Sequence, residues 1–535
     1  MRESSQAVSV PSCLPGAGWW GARVRWCGAA LVLLHVTTGL VRAQEPRLGS
    51  IDFPTSASGE AQRSFVEGVL YLHSFEFDSA AEAFRRAQAA DSTFAMAYWG
   101  EAVTYNHPLW GEWDATAARA VLARLGPTPD ARRAMAPTER ERMYLDAVEA
   151  LWADGPKARR DTAYSVAMED LTRLYPDDVE ARAFYALSLM GLSGTVRVVP
   201  TYMRAGAIGL QILAEHPRHP GAAHYVIHAF DDPTHAPIAL PAARAYSHIA
   251  PDAAHAQHMT THIFVAMGMW DRVISQNIVA ADLTWWGPGH YTSWLTYGLV
   301  QAGRFSEATR NLGGARAQLA GRATPGARSY LATMRAQHVV NAEHWEDPAL
   351  GWDLDLEGTW PVAQAMDAFT IGYAALQRGE IRLAESSLER ARMLADAHPD
   401  DPKLKVLFLE LQASLLHRAG KPDEATTLLR EATAIEDALP AEYGPPDIVK
   451  PSHELLGEFL LADGDAPAAQ REFERALMLA PKRARALLGL GRAASAAGDL
   501  LASRRAYAAL TGIWHGADAG LPELTEARRL AAGAR

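Results

Sequence analysis

The chain has 535 residues and a formal net charge of -11 at pH 7. That acidic balance disfavours nucleic acid and anionic membrane as partners. The composition is ordinary for a soluble protein but rich in alanine, which favours helix, and no stretch alternates with period two for long enough to make a sheet.

At the N-terminus, Arg23 and Arg25 precede an apolar run from Ala29 to Leu40, followed by Val41-Arg42-Ala43 and Gln44-Glu45. Positive region, short apolar core and small-residue exit, in that order, predict a secretory signal peptide over residues 1–43. The run is too short to span a bilayer comfortably. The mature chain is therefore expected to be exported, periplasmic or extracellular, with no membrane span. Cleavage would remove Cys13 and Cys27, the only 2 cysteines. Any metal must then be held by His, Asp or Glu. Residues 44–60 read as an exposed leader.

From Ala61 a repeat emerges. Gly68, Tyr71, Ala80, Phe84 and Ala87 fall at the positions of a tetratricopeptide (TPR) repeat, whose period is roughly 34 residues. Small residues let the two helices of a hairpin approach, and large ones fill the groove made by the next hairpin. Gly372, Ala384, Leu388 and Ala391 repeat the frame, as do Ala413, Ala425, Leu429 and Ala432. Leu456, Gly457, Leu460, Ala469, Phe473, Ala476 and Pro481 match it most fully, and Leu490, Gly491, Ser503 and Tyr507 continue it. The fold class is all-α, a TPR-like α-hairpin superhelix or solenoid. Its N-terminal region is 61–319, which contains a histidine cluster. An irregular connection follows over 320–362, and C-terminal repeats over 363–535.

The cluster dominates the middle of the chain. Nine of the 19 histidines lie between His216 and His262. His224 and His228 are four apart, and so are His258 and His262, which places each pair on one helix face. His255 shares the second face. Asp231-Asp232-Pro233 should end the first histidine helix, and Pro251-Asp252 should open the second with Asp252 as its cap. Two such faces can converge on one divalent metal ion, zinc being the imidazole-preferring choice, with His255 or Asp231 as a further ligand or supporting partner. Neutral imidazole is the ligand, so binding is expected to fail as pH drops through about 6.5. Packing histidines bonded to carbonyls or carboxylates are the alternative.

Other residues carry weaker signals. His107, before Pro108, and Glu101 could reach the same site from a helix end. His453 occupies a packing position of a repeat, and Gly457 stands where a zincin would have its second histidine. Lys450 reads as a solvated lysine that could bind an anion. No phosphate-binding loop, dinucleotide fingerprint, GxSxG elbow or HExxH is present, which disfavours nucleotide-dependent chemistry and a serine hydrolase of the α/β type.

LHSFEFDSAAEAFRRAQAADSTFAMAYWGEA at 72–102, HPLW at 107–110, HPGAAHYVIHAFDDP at 219–233, HAQHMTTHIF at 255–264 and YGPPDIVKPSHELLGEFLL at 443–461 resemble a family of bacterial exported TPR proteins without an assigned reaction. The likeness covers most of 60–480. It implies a helical repeat fold and export, and supplies no activity. Met-Thr-Thr stands between His258 and His262 where the resemblance leads one to expect Met-Pro-Ser, which should make that helix more regular. Two functions fit: a scaffold binding a protein or peptide in its concave groove and carrying a histidine metal site, or a metal-dependent enzyme of hydrolase or oxidase type on the same scaffold.

Overall fold

The computed structural model describes residues 46–194, 197–441 and 444–532. The expected signal peptide lies outside the described residues. These form 25 α-helices, each packed mainly against its sequence neighbours. The one strand pair among them is a short antiparallel ladder, Asn106–His107 with Glu112–Trp113. The fold is an α-hairpin solenoid of the TPR type.

The same packing device closes the hairpins at both ends. Gly59–His73 pairs with Phe77–Ala90, and Ala95–Val103 follows. The Phe84 ring fills the space left by Gly68 and Gly100, and a methyl on either glycine would run into it. Near the C-terminus Ser452–Ala462 pairs with Ala466–Leu479, followed by Ala484–Ala496. There Phe473 sits between Gly457 and Gly489 in the same way. One buried ring thus joins two successive first helices through their glycines, which is the close approach that the sequence frame implies.

The C-terminal hairpins also dock on the middle of the chain. The Trp270 indole N–H donates to the Lys482 carbonyl at 3.0 Å, and the Trp514 indole N–H to the Gln301 carbonyl at 3.0 Å. Arg483 is 1% exposed and grips Glu454 through two hydrogen bonds of 2.7 and 3.1 Å.

Three expectations need correction. Residues 46–58 are no exposed leader. Leu48 and Phe53 are buried, and the Phe53 ring lies 5.1 Å from Phe65 and 5.3 Å from Tyr144. Burying such a ring is worth about 1.5–3 kcal/mol. Glu141 holds the segment down by accepting the Ser56 N–H at 2.6 Å. Second, the 320–362 connection contains a full helix, Pro325–Ala342. It is buried on most sides and carries Arg335, Gln337, His338 and Asn341 inward, so no apolar stripe marks it. Irregular backbone is confined to the stretch after it, with one 3-10 turn at Pro348–Gly351. Third, Asp252 does not cap the second histidine helix. It binds Arg47, accepting its backbone N–H at 2.7 Å, and the helix N-terminus is served by Glu76 instead.

Candidate metal centre

The histidines sit on the first helices of three successive hairpins. Pro220–Ala229 carries His224 and His228, Ala254–Ala266 carries His255, His258 and His262, and His290–Gln301 begins with His290. The first helix ends at Ala229, just before Asp231-Asp232-Pro233, as the proline requires. The Ala254–Ala266 helix has no side-chain cap of its own. The Glu76 carboxylate accepts the His255 N–H at 3.0 Å, which favours the positive end of the helix and fixes where His255 stands.

The expected residues sort into two triads rather than one four-histidine set. In each triad the ligand nitrogens lie within 4.8 Å of one another: His224, His228 and His255 in the first, His258, His262 and His290 in the second.

In the first triad the His224 Nδ1–H donates to the His73 carbonyl at 2.7 Å, leaving the lone pair on Nε2. That Nε2 is buried and has no hydrogen-bond partner, and the same holds for Nε2 of His228 and of His255. A buried polar atom without a partner costs roughly 1–3 kcal/mol, so three together in one spot call for an occupant. Phe75 walls this triad. Its φ is 55°, a left-handed conformation that a bulky side chain rarely adopts. The ring lies 5.8 Å from His228 and 5.6 Å from His255, nearly parallel to both, and 4.3 Å from His224. Burial pushes His224 down to about 3. Burial, then the neighbouring imidazoles, hold His228, His255 and His258 well below the ordinary histidine value. These four rings are neutral at pH 6.5. The expected loss of ligands near the ordinary value is therefore displaced to lower pH.

In the second triad each tautomer follows from its neighbour. The Asn277 amide donates to the Val273 carbonyl at 2.9 Å, which turns its oxygen toward His258. The His258 Nδ1–H donates to that oxygen at 2.8 Å, and the His262 Nδ1–H donates to the Asp231 carboxylate at 2.6 Å. Both Nε2 atoms then face each other at 3.1 Å. That distance is a hydrogen bond when one Nε2 carries a proton, and a cation bound by both nitrogens would take that proton's place. Carboxylate to imidazole to metal is the arrangement that orients histidine ligands generally. His290 completes the group and is the most open to solvent of the six.

A third buried group, His73, Glu180 and His219, has the opposite character. His73 Nε2 donates to Glu180 at 2.6 Å and His219 Nε2 to the other oxygen at 3.1 Å. His73 Nδ1 bonds the Tyr225 hydroxyl at 2.9 Å, and His219 Nδ1 accepts the Ala222 N–H at 3.1 Å. Every ring nitrogen is satisfied. Burial raises Glu180, but His219 and His73 outweigh it and hold the carboxyl below the carboxylate range. This group is a structural knot. A fourth group, His338, His344 and Asp347, lies elsewhere, and its His344 is exposed.

Several candidates fall outside. His107 bonds Glu112 at 3.2 Å and the Thr104 carbonyl at 3.0 Å and stacks on Phe77 at 3.9 Å. It belongs to neither triad, being bound to its own turn. Glu101 is taken by Arg85, Arg124 and Gln88. Asp231 supports His262 and is no member of either ligand group. Lys450 is neither solvated nor an anion site. It is 1% exposed and bonded to Glu458 at 2.7 Å. His453 packs as expected, its Nδ1 bonded to Glu472 at 2.7 Å. His290, Phe75 and Asn277 were missed. Spacing gives no sign of them, because each comes singly from a different hairpin.

A cavity of about 460 Å³ reaches the second triad, with His262 and Asp231 in its wall. Trp270, Tyr297, Ile448 and Leu439 make much of the rest. Arg197, Asp232 and His235 also line it and are paired together, Arg197 to Asp232 at 2.6 Å and His235 to Asp232 at 2.7 Å.

No protein-family model matches the chain, and no curated protein matches it in sequence. Among solved structures it is similar to a chain of the crystal structure of the APC/C hetero-tetramer Cut9-Hcn1, at 11% identity and a TM-score of 0.34, over 89% of this chain and 77% of that one. It is also similar to the human IFIT1 dimer with PPP-AAAA, at 12% identity and a TM-score of 0.33, over 84% of this chain and 89% of that one. At such distances neither bears on function. The class is defined by the chain itself: an α-hairpin repeat protein in which several buried histidine groups could hold a metal ion.

Proposed function

We propose that this is an exported metalloprotein in which His224, His228 and His255 hold a divalent transition-metal ion on a TPR-like scaffold. The carrying observation is the set of three buried Nε2 atoms with no hydrogen-bond partner, gathered within ligand reach. Three neutral imidazoles suit zinc or another imidazole-preferring ion. Three protein ligands leave a coordination position open, as catalytic sites do and closed structural sites do not. That favours a metal-dependent enzyme, of hydrolase or oxidase type, over a purely structural ion. Metal analysis of the purified mature protein tests the reading. Stoichiometric metal is expected in the native chain, with one ion fewer per chain in His228→Ala and in His255→Ala. A native chain without metal, which also takes none up on dialysis, would sink it.

The alternative is a protein or peptide bound by the repeat scaffold. The exposed apolar side chains of Met478 and Leu479 at the cavity support it. Binding of such a partner should survive removal of the metal ligands, whereas metal-dependent turnover should not. Export belongs to the proposal and rests on the order of charges and apolar residues in 1–43. No described helix is long and apolar enough to cross a membrane.

A further inference from the structure

The metal reading above concerns the first triad. The second has its own geometry, and the spacing between the two is the informative quantity. Within the first triad, His224 lies 4.8 Å from His228 and 5.1 Å from His255, ring centre to ring centre. Within the second, His258 lies 5.0 Å from His262 and 4.3 Å from His290. Across the boundary, His228 lies 5.8 Å from His262, and His255 lies 6.1 Å from His258. The gap between triads is barely larger than the spacing inside them, so the six rings are one continuous cluster. Ions held by the two halves would be neighbours in one cluster, the setting in which paired ions about 3.5–4 Å apart share a ligand.

Resting on that first-triad reading, we propose that the two triads together hold two ions as one dinuclear centre, completed by a small anion that enters beside His262 and bridges them. Charge supplies the second half of the argument. The two ligand groups contain imidazole alone. Asp231 is the carboxylate nearest in the hydrogen-bond chain, and it is spent on His262 Nδ1. Asp231 on His262 and Glu76 on the His255 N–H stand one group away from the ligands and offset two divalent cations only in part. Hydroxide, or a substrate of like size and charge, provides the remainder. The cavity brings such a molecule to the second ion, because His262 is the triad residue in its wall. Phe75 packs against the first triad, stacked on His228 and His255.

The test uses Cu2+ alone as the metal probe and azide as the anion probe, on the full mature chain. The expected result is two copper ions per chain with most of the paramagnetic resonance signal missing, because spins on bridged ions couple. His290→Ala, at the most solvent-open of the six positions, should keep one copper, restore its full signal, and lose the azide-to-copper charge-transfer band of the pair. His228→Ala should also keep one copper with full signal. Two coppers with full, independent signals in the native chain would overturn the bridged centre. So would a single copper that His228→Ala removes and His290→Ala leaves untouched, although the first-triad reading would then stand. No copper binding at all would remove both. Circular dichroism of each variant identifies any that fails to fold. Copper count and signal intensity together in the native chain are decisive without the variants.

Discussion

A histidine that has given away its Nδ1 hydrogen has only the Nε2 lone pair left to use. At His262 the receiving group is Asp231, at 2.6 Å. Asp231→Asn keeps the shape and removes the charge. Supporting partners of this kind typically change metal affinity by about 10–100-fold, and a loss in that range is expected in a chelator competition titration. Unchanged affinity would mean that Asp231 does not orient the ligand. A second residue gives a pH dependence. Burial lowers His453, but Glu472 and then Asp437 more than compensate, and the imidazole is raised above its ordinary value. A raised histidine contributes stability that is fully present below the unfolded value of about 6.5 and is lost as pH rises through the folded value. His453 therefore contributes a fall in stability as pH rises above about 6.5, opposing the rise that the lowered histidines of the cluster contribute over the same range. Melting temperature should climb more steeply between pH 6 and pH 8, roughly the window around the unfolded value, in His453→Gln than in the native chain, and an identical slope in the two would rule out the assignment. At this scale the sequence revealed five of the six clustered histidines, because i,i+4 spacing is visible without a structure. His290 is the first residue of its helix and has no histidine at helical spacing. Only the packing of a third hairpin brings it in.

The helical hairpin is the element that the sequence specified best, and the reason is physical. Gly457 faces the Phe473 ring, with 3.0 Å between that ring and the place a Cβ would take. A glycine followed by a large aromatic at fixed spacing therefore reports a real contact, and the frame could be located from it. Gly457→Leu should overpack the joint and cost about 1–3 kcal/mol, seen as a lower melting temperature. No change in melting would mean that Phe473 swings aside freely. Where an element lacks such a device it was illegible. Pro325–Ala342 buries Arg335 against the Ala349 and Trp352 carbonyls at 3.1 and 3.0 Å, and Gln337 against the Pro446 carbonyl at 2.8 Å. Polar residues satisfied by distant backbone erase the helical stripe. The 46–58 segment failed for a related reason. Its two anchors, Leu48 and Phe53, stand in an aperiodic stretch, and their burial depends on helices far along the chain.

For the molecule as a whole, the histidine cluster draws on three successive hairpins, so an ion held there would tie them together. The rings come from Pro220–Ala229, Ala254–Ala266 and His290–Gln301. A metal that binds the folded state alone adds stability by mass action, about 2.7 kcal/mol when its concentration is 100 times the dissociation constant. Chelation should lower the melting temperature of the native chain, and His258→Ala with His262→Ala should lower it in the same direction while leaving only the first triad's share of the chelator effect. The choice of control matters. His216 is exposed, and His216→Ala should change neither metal content nor melting. His219 would be a poor control, although it lies just beside it in the chain. It is buried, caps Pro220–Ala229 through Ala222, and satisfies Glu180. His219→Ala removes one of the two imidazoles holding that buried carboxyl, and breaking such a pair typically costs about 3–5 kcal/mol. It should therefore melt early yet, where folded, keep its metal. Should His219→Ala lose metal in proportion to the His258 and His262 changes at a temperature where it remains helical, the structural knot and the metal centre would be one site, and the division drawn from their hydrogen bonds would be wrong.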